Sequence, residues 1–121
     1  MENKINIRTA VISWLFTAAY MGIIFYLSSL TFDTELPSNS DKIIHIIIYG
    51  PLALLLYKAL KGTGIRKHLF AASLILAGLY GITDEIHQSF VPGRDAAAGD
   101  AVADFIGAFV GCYIAGRTIK K

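Results

Sequence analysis

Hydrophobic residues fall into long runs, separated by short polar stretches that carry most of the charge. The runs cover 9–30, 43–57, 69–87 and 101–116. Crossing the ~30 Å hydrocarbon core of a membrane takes about 20 residues of helix, so the first and third runs are long enough and the other two need their polar flanks. Because backbone polar groups inside a bilayer must be satisfied within the segment, helix is the predicted state of every run.

The pattern predicts an all-α fold, namely a polytopic membrane four-helix bundle that forms one domain over 1–121. We expect its helices at 9–30, 41–60, 69–88 and 100–117. Composition agrees, since 55% hydrophobic residues and a mean hydropathy of +0.55 are too apolar for an ordinary soluble domain of this length. The first run follows two basic residues as a signal peptide would, but its length predicts a retained anchor.

Lysine and arginine in the short connections predict the orientation of the bundle. Basic residues occur before the first run, between the second and third runs, and after the fourth run: Lys4, Arg8, Lys58, Lys61, Arg66, Lys67, Arg117, Lys120 and Lys121. These three places alternate along the chain, as cytoplasmic segments of a four-helix protein would. We therefore expect both termini to be cytoplasmic, with 31–41 and 89–99 on the opposite side.

The charge and cysteine content exclude some classes of function. A formal charge of +2 without a basic stripe gives no surface that would follow a phosphate backbone, so we expect no nucleic-acid partner. The single cysteine, Cys112, lies in an apolar run and cannot form an internal disulfide.

Small residues recur every four positions in two of the predicted helices. The positions are Ser73, Ala77 and Gly81 in the third helix, and Ala103, Gly107, Gly111 and Ala115 in the fourth. Small residues let helix backbones approach closely in lipid, where the hydrophobic effect does not drive helices together. The stripes predict contact faces within the chain, and a homo-oligomer interface is the alternative.

Polar residues gather at three predicted helix ends that share one side of the membrane. On each helix these residues share one face: Asp41, His45 and Tyr49 in the second helix, Asp84, His87 and Gln88 in the third, and Asp100 and Asp104 in the fourth. With a rise of ~1.5 Å per residue, His45, Asp84 and Asp104 lie roughly 6 Å below their boundary residues, so they share a layer. Glu85 points about 100° away from Asp84, and the sequence does not decide which of the two faces the cluster.

Two cations accompany these polar residues. Lys42 follows Asp41, and Arg94 lies in the loop between the third and fourth helices, after a Pro-Gly turn. The planar guanidinium of Arg94 suits a carboxylate or a phosphate. It therefore either closes the cluster around a ligand or forms a salt bridge that fixes the loop.

In this order and spacing the polar residues resemble the VanZ-like membrane protein family. The similarity rests on three segments: Asp41-Lys42-x-x-His45 with Tyr49, then Asp84-Glu85-x-x-Gln88-x-Phe90-x-Pro92-Gly93-Arg94, and then Asp100 and Asp104 before Gly107 and Gly111. It covers over half the chain. Many members have asparagine where this chain has Asp104, so the resemblance does not require a charge at that position.

The resemblance implies a multi-pass protein of the bacterial cytoplasmic membrane that is linked to the cell envelope. The family is named for an accessory protein of glycopeptide resistance, associated with reduced susceptibility to teicoplanin. It implies no particular reaction, so the function has to be argued from the residues.

Three readings of the polar cluster stay open at this point. In the first, an outward-facing pocket binds or handles a membrane lipid or lipid-linked envelope precursor through Asp41, Lys42, Tyr49, Glu85, His87, Gln88, Arg94 and Asp100. In the second, His45, Asp84 and Asp104 are catalytic residues of a hydrolase or transferase, with His45 as general base or with a divalent metal held by His45, Asp84 and His87 or Asp104. In the third, the cluster is a structural hydrogen-bond network that joins the helices.

Overall fold

The protein consists of four α-helices in the computed structural model, which describes residues 6–29, 38–91 and 98–119, without the side chains of 38–41 and 98. The helices are α1 (Ile7–Ser28), α2 (Ser38–Gly62), α3 (Leu69–Ser89) and α4 (Ala98–Thr118). All four are long and apolar enough to cross a membrane. The all-α membrane four-helix fold predicted from the hydrophobic runs is confirmed, with each helix end within three residues of its predicted position.

The helices run alternately up and down, as the contacts between their ends show. At one end, Trp14 near the start of α1 donates a 2.7 Å hydrogen bond to Thr63, just after α2, and Lys61 of α2 reaches the carbonyl oxygen of Ile119 after α4. At the other end, Ser29 after α1 meets His87 in the last turn of α3. The second end also holds the starts of α2 and α4, and we call it the site end.

The closest packing is between α2 and α4, and glycine makes it possible. A Cβ atom added to Gly107 would lie 2.9 Å from the Cα of Ile46, and one added to Gly111 would lie 3.1 Å from the Cα of Gly50. Any side chain at either position would therefore collide with the α2 backbone. The small-residue stripe of the fourth helix thus packs within the chain.

Helix α2 continues through Pro51, although proline has no N–H to donate. The hydroxyl group of Tyr20 in α1 donates a 2.5 Å hydrogen bond to the carbonyl of Ile48, one turn before the proline. The carbonyl that loses its helical donor at Pro51 is that of Ile47, four residues earlier, so the Tyr20 bond joins α1 to α2 beside this break in the hydrogen-bond pattern. A second tyrosine, Tyr80 of α3, donates to the carbonyl of Met21 at 2.6 Å.

The buried apolar core lies between α2, α3 and α4, around Tyr49, Leu52, Leu56, Ala77 and Cys112. Helix α1 is peripheral: it packs on α2, touches α3 at few points, and is the least buried of the four spans. Large hydrophobic side chains cover the outside of the bundle, as lipid-facing surfaces require.

Candidate functional site: a buried carboxylate–histidine cluster

Five ionisable side chains from three helices converge at the site end of the bundle. Each is at most 9% exposed. We call this set the carboxylate cluster: His45 of α2, Asp84 and Glu85 of α3, and Asp100 and Asp104 of α4. Buried ionisable groups are expensive in a membrane protein, so their convergence marks this end as the candidate site.

His45 lies between two carboxylates of α4. Its Nδ1 atom is 2.7 Å from Oδ1 of Asp104, and its Nε2 atom is 3.8 Å from Oδ2 of Asp100. The two aspartates are four residues apart and so lie one above the other on a single helix face. An ionised Asp104 accepts a hydrogen bond from Nδ1–H, which fixes the orientation of the imidazole ring and places Nε2 toward Asp100.

Gly81 of α3 makes room for Asp104. A Cβ atom at position 81 would lie 2.7 Å from Oδ2 and 2.8 Å from Cβ of Asp104. No side chain fits there unless the aspartate moves. The sequence presented Gly81 only as part of a small-residue stripe, and the carboxylate that occupies the space became visible only with the helices in place.

Tyr49 and Asp84 form the deep side of the cluster. Tyr49 is 1% exposed, lies one helical turn below His45, and donates a 3.3 Å hydrogen bond to Oδ2 of Asp84. The rings of Tyr49 and His45 are nearly parallel, with centroids 6.5 Å apart. The tyrosine separates the polar groups from the apolar core beneath them.

Glu85 points into the bundle together with Asp84. One carboxylate oxygen of Glu85, one of Asp104 and a ring nitrogen of His45 all lie within 4.8 Å of one another. The sequence left open which of these two neighbours faces the cluster, and in the structure both are buried in it. Gln88, one turn from Asp84, is also buried, at 3% exposure.

Lys42 lies at the outer rim of the cluster. Its side chain is 49% exposed, and its Nζ atom is 3.8 Å from Oδ1 of the buried Asp100. The ammonium group of Lys42 is therefore accessible from outside the bundle while it lies next to a buried carboxylate.

His87 lies apart from these groups. Its Nε2 atom is 2.8 Å from Oγ of Ser29, and its ring stacks on Phe25 with centroids 4.2 Å apart. The structure thus brings His87 to α1, whereas the sequence placed it with Asp84 as a binding residue and candidate metal ligand. No signal in the sequence paired His87 with the end of the first helix.

Two predicted site residues cannot be placed. Arg94 and the side chain of Asp41 lie outside the described residues. Among the described residues, Oδ1 of Asp84 and Oδ2 of Asp104 are buried without a hydrogen-bond partner. Such atoms are costly in a low-dielectric interior, and they are the ones that a ligand or an ion would satisfy.

Fold and site together define a multi-pass membrane protein with a polar cluster buried at one end of a helical bundle. The chain belongs to the VanZ/LLP1 family, whose sequence model matches residues 4–119. The match includes α1, so it extends beyond the segment whose motifs carried the resemblance. No curated protein and no solved structure matches the chain.

Proposed function

We propose that the carboxylate cluster and Lys42 form a pocket that binds the polar head group of a lipid-linked molecule of the bacterial cell envelope. Family membership and the apolar helices support a membrane protein of the envelope. The observation that carries the proposal is the convergence of His45 and four carboxylates, almost fully buried, beneath a half-exposed lysine.

The chemistry of the cluster selects the kind of head group. Carboxylates only accept hydrogen bonds, so they suit hydroxyl, amide or ammonium groups, whereas the Lys42 ammonium suits a phosphate. A head group with both an anionic part and several donors, such as a phosphate-linked sugar, fits this combination. The acyl or polyprenyl chain of such a molecule would lie along the apolar outer faces of the helices.

A purely structural role accounts poorly for the cluster. Hydrogen bonds between membrane helices contribute on average about 0.6 kcal/mol each, while burying an ion costs several kcal/mol even after relaxation. Uncharged residues would join the helices at lower cost. Retaining four buried carboxylates at one end of the bundle therefore favours a ligand.

Orientation belongs to the same proposal. The distribution of lysine and arginine favours the site end on the non-cytoplasmic face and both termini in the cytoplasm. The pocket would then meet lipid-linked precursors after they have crossed the membrane. An influence on glycopeptide susceptibility would follow if such a precursor is the ligand.

Native mass spectrometry of the purified chain tests the proposal. We expect a phospholipid or polyprenyl phosphate to co-purify with the wild type and to be lost from Lys42→Gln. The matched control is Lys58→Gln, which removes an exposed lysine from the opposite end of the same helix and should retain the lipid. Absence of bound lipid from the wild type, or equal retention by both variants, would overturn the head-group role.

A second function, acid–base catalysis on the same lipid, is favoured by the 2.7 Å contact between His45 and Asp104. A carboxylate bonded to one imidazole nitrogen raises the basicity of the other, as a hydrolase or transferase would need. We would incubate the purified protein with lipid-linked sugar phosphates and analyse the products by mass spectrometry. Turnover that disappears in Asp104→Asn supports an enzyme, and retention of unchanged lipid supports a binding protein.

A further inference from the structure

We infer that the carboxylate cluster holds a divalent metal ion, with His45, Glu85 and Asp104 as its protein ligands. One ligand atom from each residue lies within 4.8 Å of the other two, although the residues come from three different helices. The metal set expected from the sequence included Asp84 and His87, but the structure brings Glu85 to this position and places His87 against α1.

The separation of these atoms suits an ion without a large rearrangement. Oxygen ligands lie at about 2.1 Å from Mg²⁺ and about 2.4 Å from Ca²⁺, so ligands on opposite sides are roughly 4.2 to 4.8 Å apart. The three atoms already meet the upper value. The remaining positions of such an ion would be taken by water, several molecules of which Mg²⁺ usually keeps.

An independent observation is the state of Asp104, which is fully buried. Its Oδ1 atom is engaged by His45, but its Oδ2 atom has no hydrogen-bond partner among the described residues. Asp84 is only 5% exposed, and its Oδ1 atom also has no hydrogen-bond partner among the described residues. Its Oδ2 atom accepts the hydrogen bond from Tyr49. An unsatisfied carboxylate oxygen at this depth is destabilising, and a bound cation removes that cost.

The charges of the cluster also favour a bound cation. Four buried carboxylates face one histidine and one half-exposed lysine among the described residues. A cation stabilises such a group of carboxylates, because an ionised carboxylate in a low-dielectric interior is strongly destabilised without a positive partner. A divalent ion does so without removing the hydrogen bond between His45 and Asp104.

The donor set selects the class of metal. Carboxylate oxygens favour Mg²⁺ and Mn²⁺, the one imidazole also suits Zn²⁺, and soft metals prefer thiolates, which this set of ligands does not contain. The only thiol of the chain, Cys112, is buried deeper in the bundle against Ser73. We therefore expect a hard divalent ion.

The metal site adds to the proposed function but does not depend on it. A cation in the cluster would give the phosphate of a head group a second positive partner beside Lys42. Metal binding by the protein in detergent, without added lipid, tests the site separately, so that either proposal can fail while the other stands.

The experiment is a titration of the purified full chain with Mn²⁺, followed by electron paramagnetic resonance of the free ion, with Mg²⁺ as competitor. We expect one saturable site in the wild type and binding at least tenfold weaker in Asp104→Asn and in Glu85→Gln, since even outer-shell changes weaken metal sites by about 10–100-fold. The matched control is His87→Gln, at the same end of the bundle but packed on α1, which should bind like the wild type.

Thermal unfolding in detergent accompanies each titration. Saturating Mn²⁺ should raise the melting temperature of the wild type and of His87→Gln, but not of the two carboxylate variants. Absence of saturable Mn²⁺ binding by the folded wild type overturns the proposal, whatever the variants do. Binding by Asp104→Asn and Glu85→Gln at wild-type strength overturns it equally.

Discussion

Asp104 is the most deeply buried carboxylate of the cluster. It is fully buried, bonded to His45 on one side and pressed against Gly81 of the neighbouring helix on the other. Each contact comes from a different helix. The position of this one side chain therefore reports whether α2, α3 and α4 are correctly assembled.

The contact between His45 and Asp104 should couple the two residues energetically. We expect His45→Ala to lower the free energy of unfolding by about 3–5 kcal/mol, because it leaves a buried carboxylate without its partner. In an Asp104→Asn background the same substitution should cost clearly less. Equilibrium unfolding in mixed detergent micelles measures both values, and strictly additive effects would show that the contact carries no coupling.

The space beside Asp104 gives a second prediction at the residue scale. Gly81→Ala introduces a methyl group 2.7 Å from a carboxylate oxygen and should destabilise the protein by about 1–3 kcal/mol. Gly22→Ala is the matched control, because a Cβ atom there meets nothing within 4 Å. The control should be neutral or slightly stabilising, by up to about 1 kcal/mol, since alanine is the better helix former. Equal effects of the two substitutions would contradict the packing described for Gly81.

Among the helices, α2 and α4 form the central pair and set the geometry of the site. Gly107 and Gly111 bring the two backbones together, and the same closeness places His45 between Asp100 and Asp104. Helix α3 adds Asp84 and Glu85 from the third side. Helix α1 supplies none of the cluster residues and meets α3 through Met21 and Phe25, with Ser29 just after its end.

Widening the α2–α4 contact should therefore disturb the site from a distance. Gly111→Ala places a Cβ atom 3.1 Å from the Cα of Gly50, and backbone cannot yield as a side-chain tip can. We expect a loss of about 1–3 kcal/mol in stability, together with weaker lipid retention in native mass spectra. Gly116→Ala, in the same helix, would meet only the hydroxyl of Tyr57 at 3.9 Å and should change neither property. If the two variants have the same stability and the same lipid retention, the spacing of α2 and α4 does not control the site.

For the molecule as a whole, the buried histidine and carboxylates of the described residues all lie at one end of the bundle. The carboxylate cluster occupies the site end, and below Tyr49 the described interior is largely apolar, so the arrangement suits a pocket that opens on one face of the membrane. A transport path would instead be expected to place polar groups near the midplane.

Orientation in the membrane can be measured by labelling single cysteines in intact cells. In a Cys112→Ala background, Lys67→Cys should be protected from an impermeant thiol reagent, and Asp95→Cys should be labelled, because basic loops stay in the cytoplasm. Opening the cells should expose position 67 as well. The reverse labelling pattern would place the site on the cytoplasmic face and exclude the proposed encounter with exported precursors.

The sequence by itself determined the number of helices, their limits within a few residues and the family. Hydrophobic run length is a local property, and a bilayer leaves helix as the only state for such runs, so no tertiary information was needed. The periodic spacing of His45 with Tyr49 and of Asp100 with Asp104 also follows from the sequence, because it is fixed within one helix.

Only the tertiary structure decided which faces meet. In the structure, Glu85 points inward beside Asp84, and Asp104 packs against Gly81. His87 contacts Phe25 and Ser29. These outcomes depend on how each helix is rotated about its axis, and the rotation is set by packing against neighbours at backbone contacts such as Gly107 and Gly111. The sequence shows which residues share a face of one helix, but it does not show which neighbouring helix that face will contact.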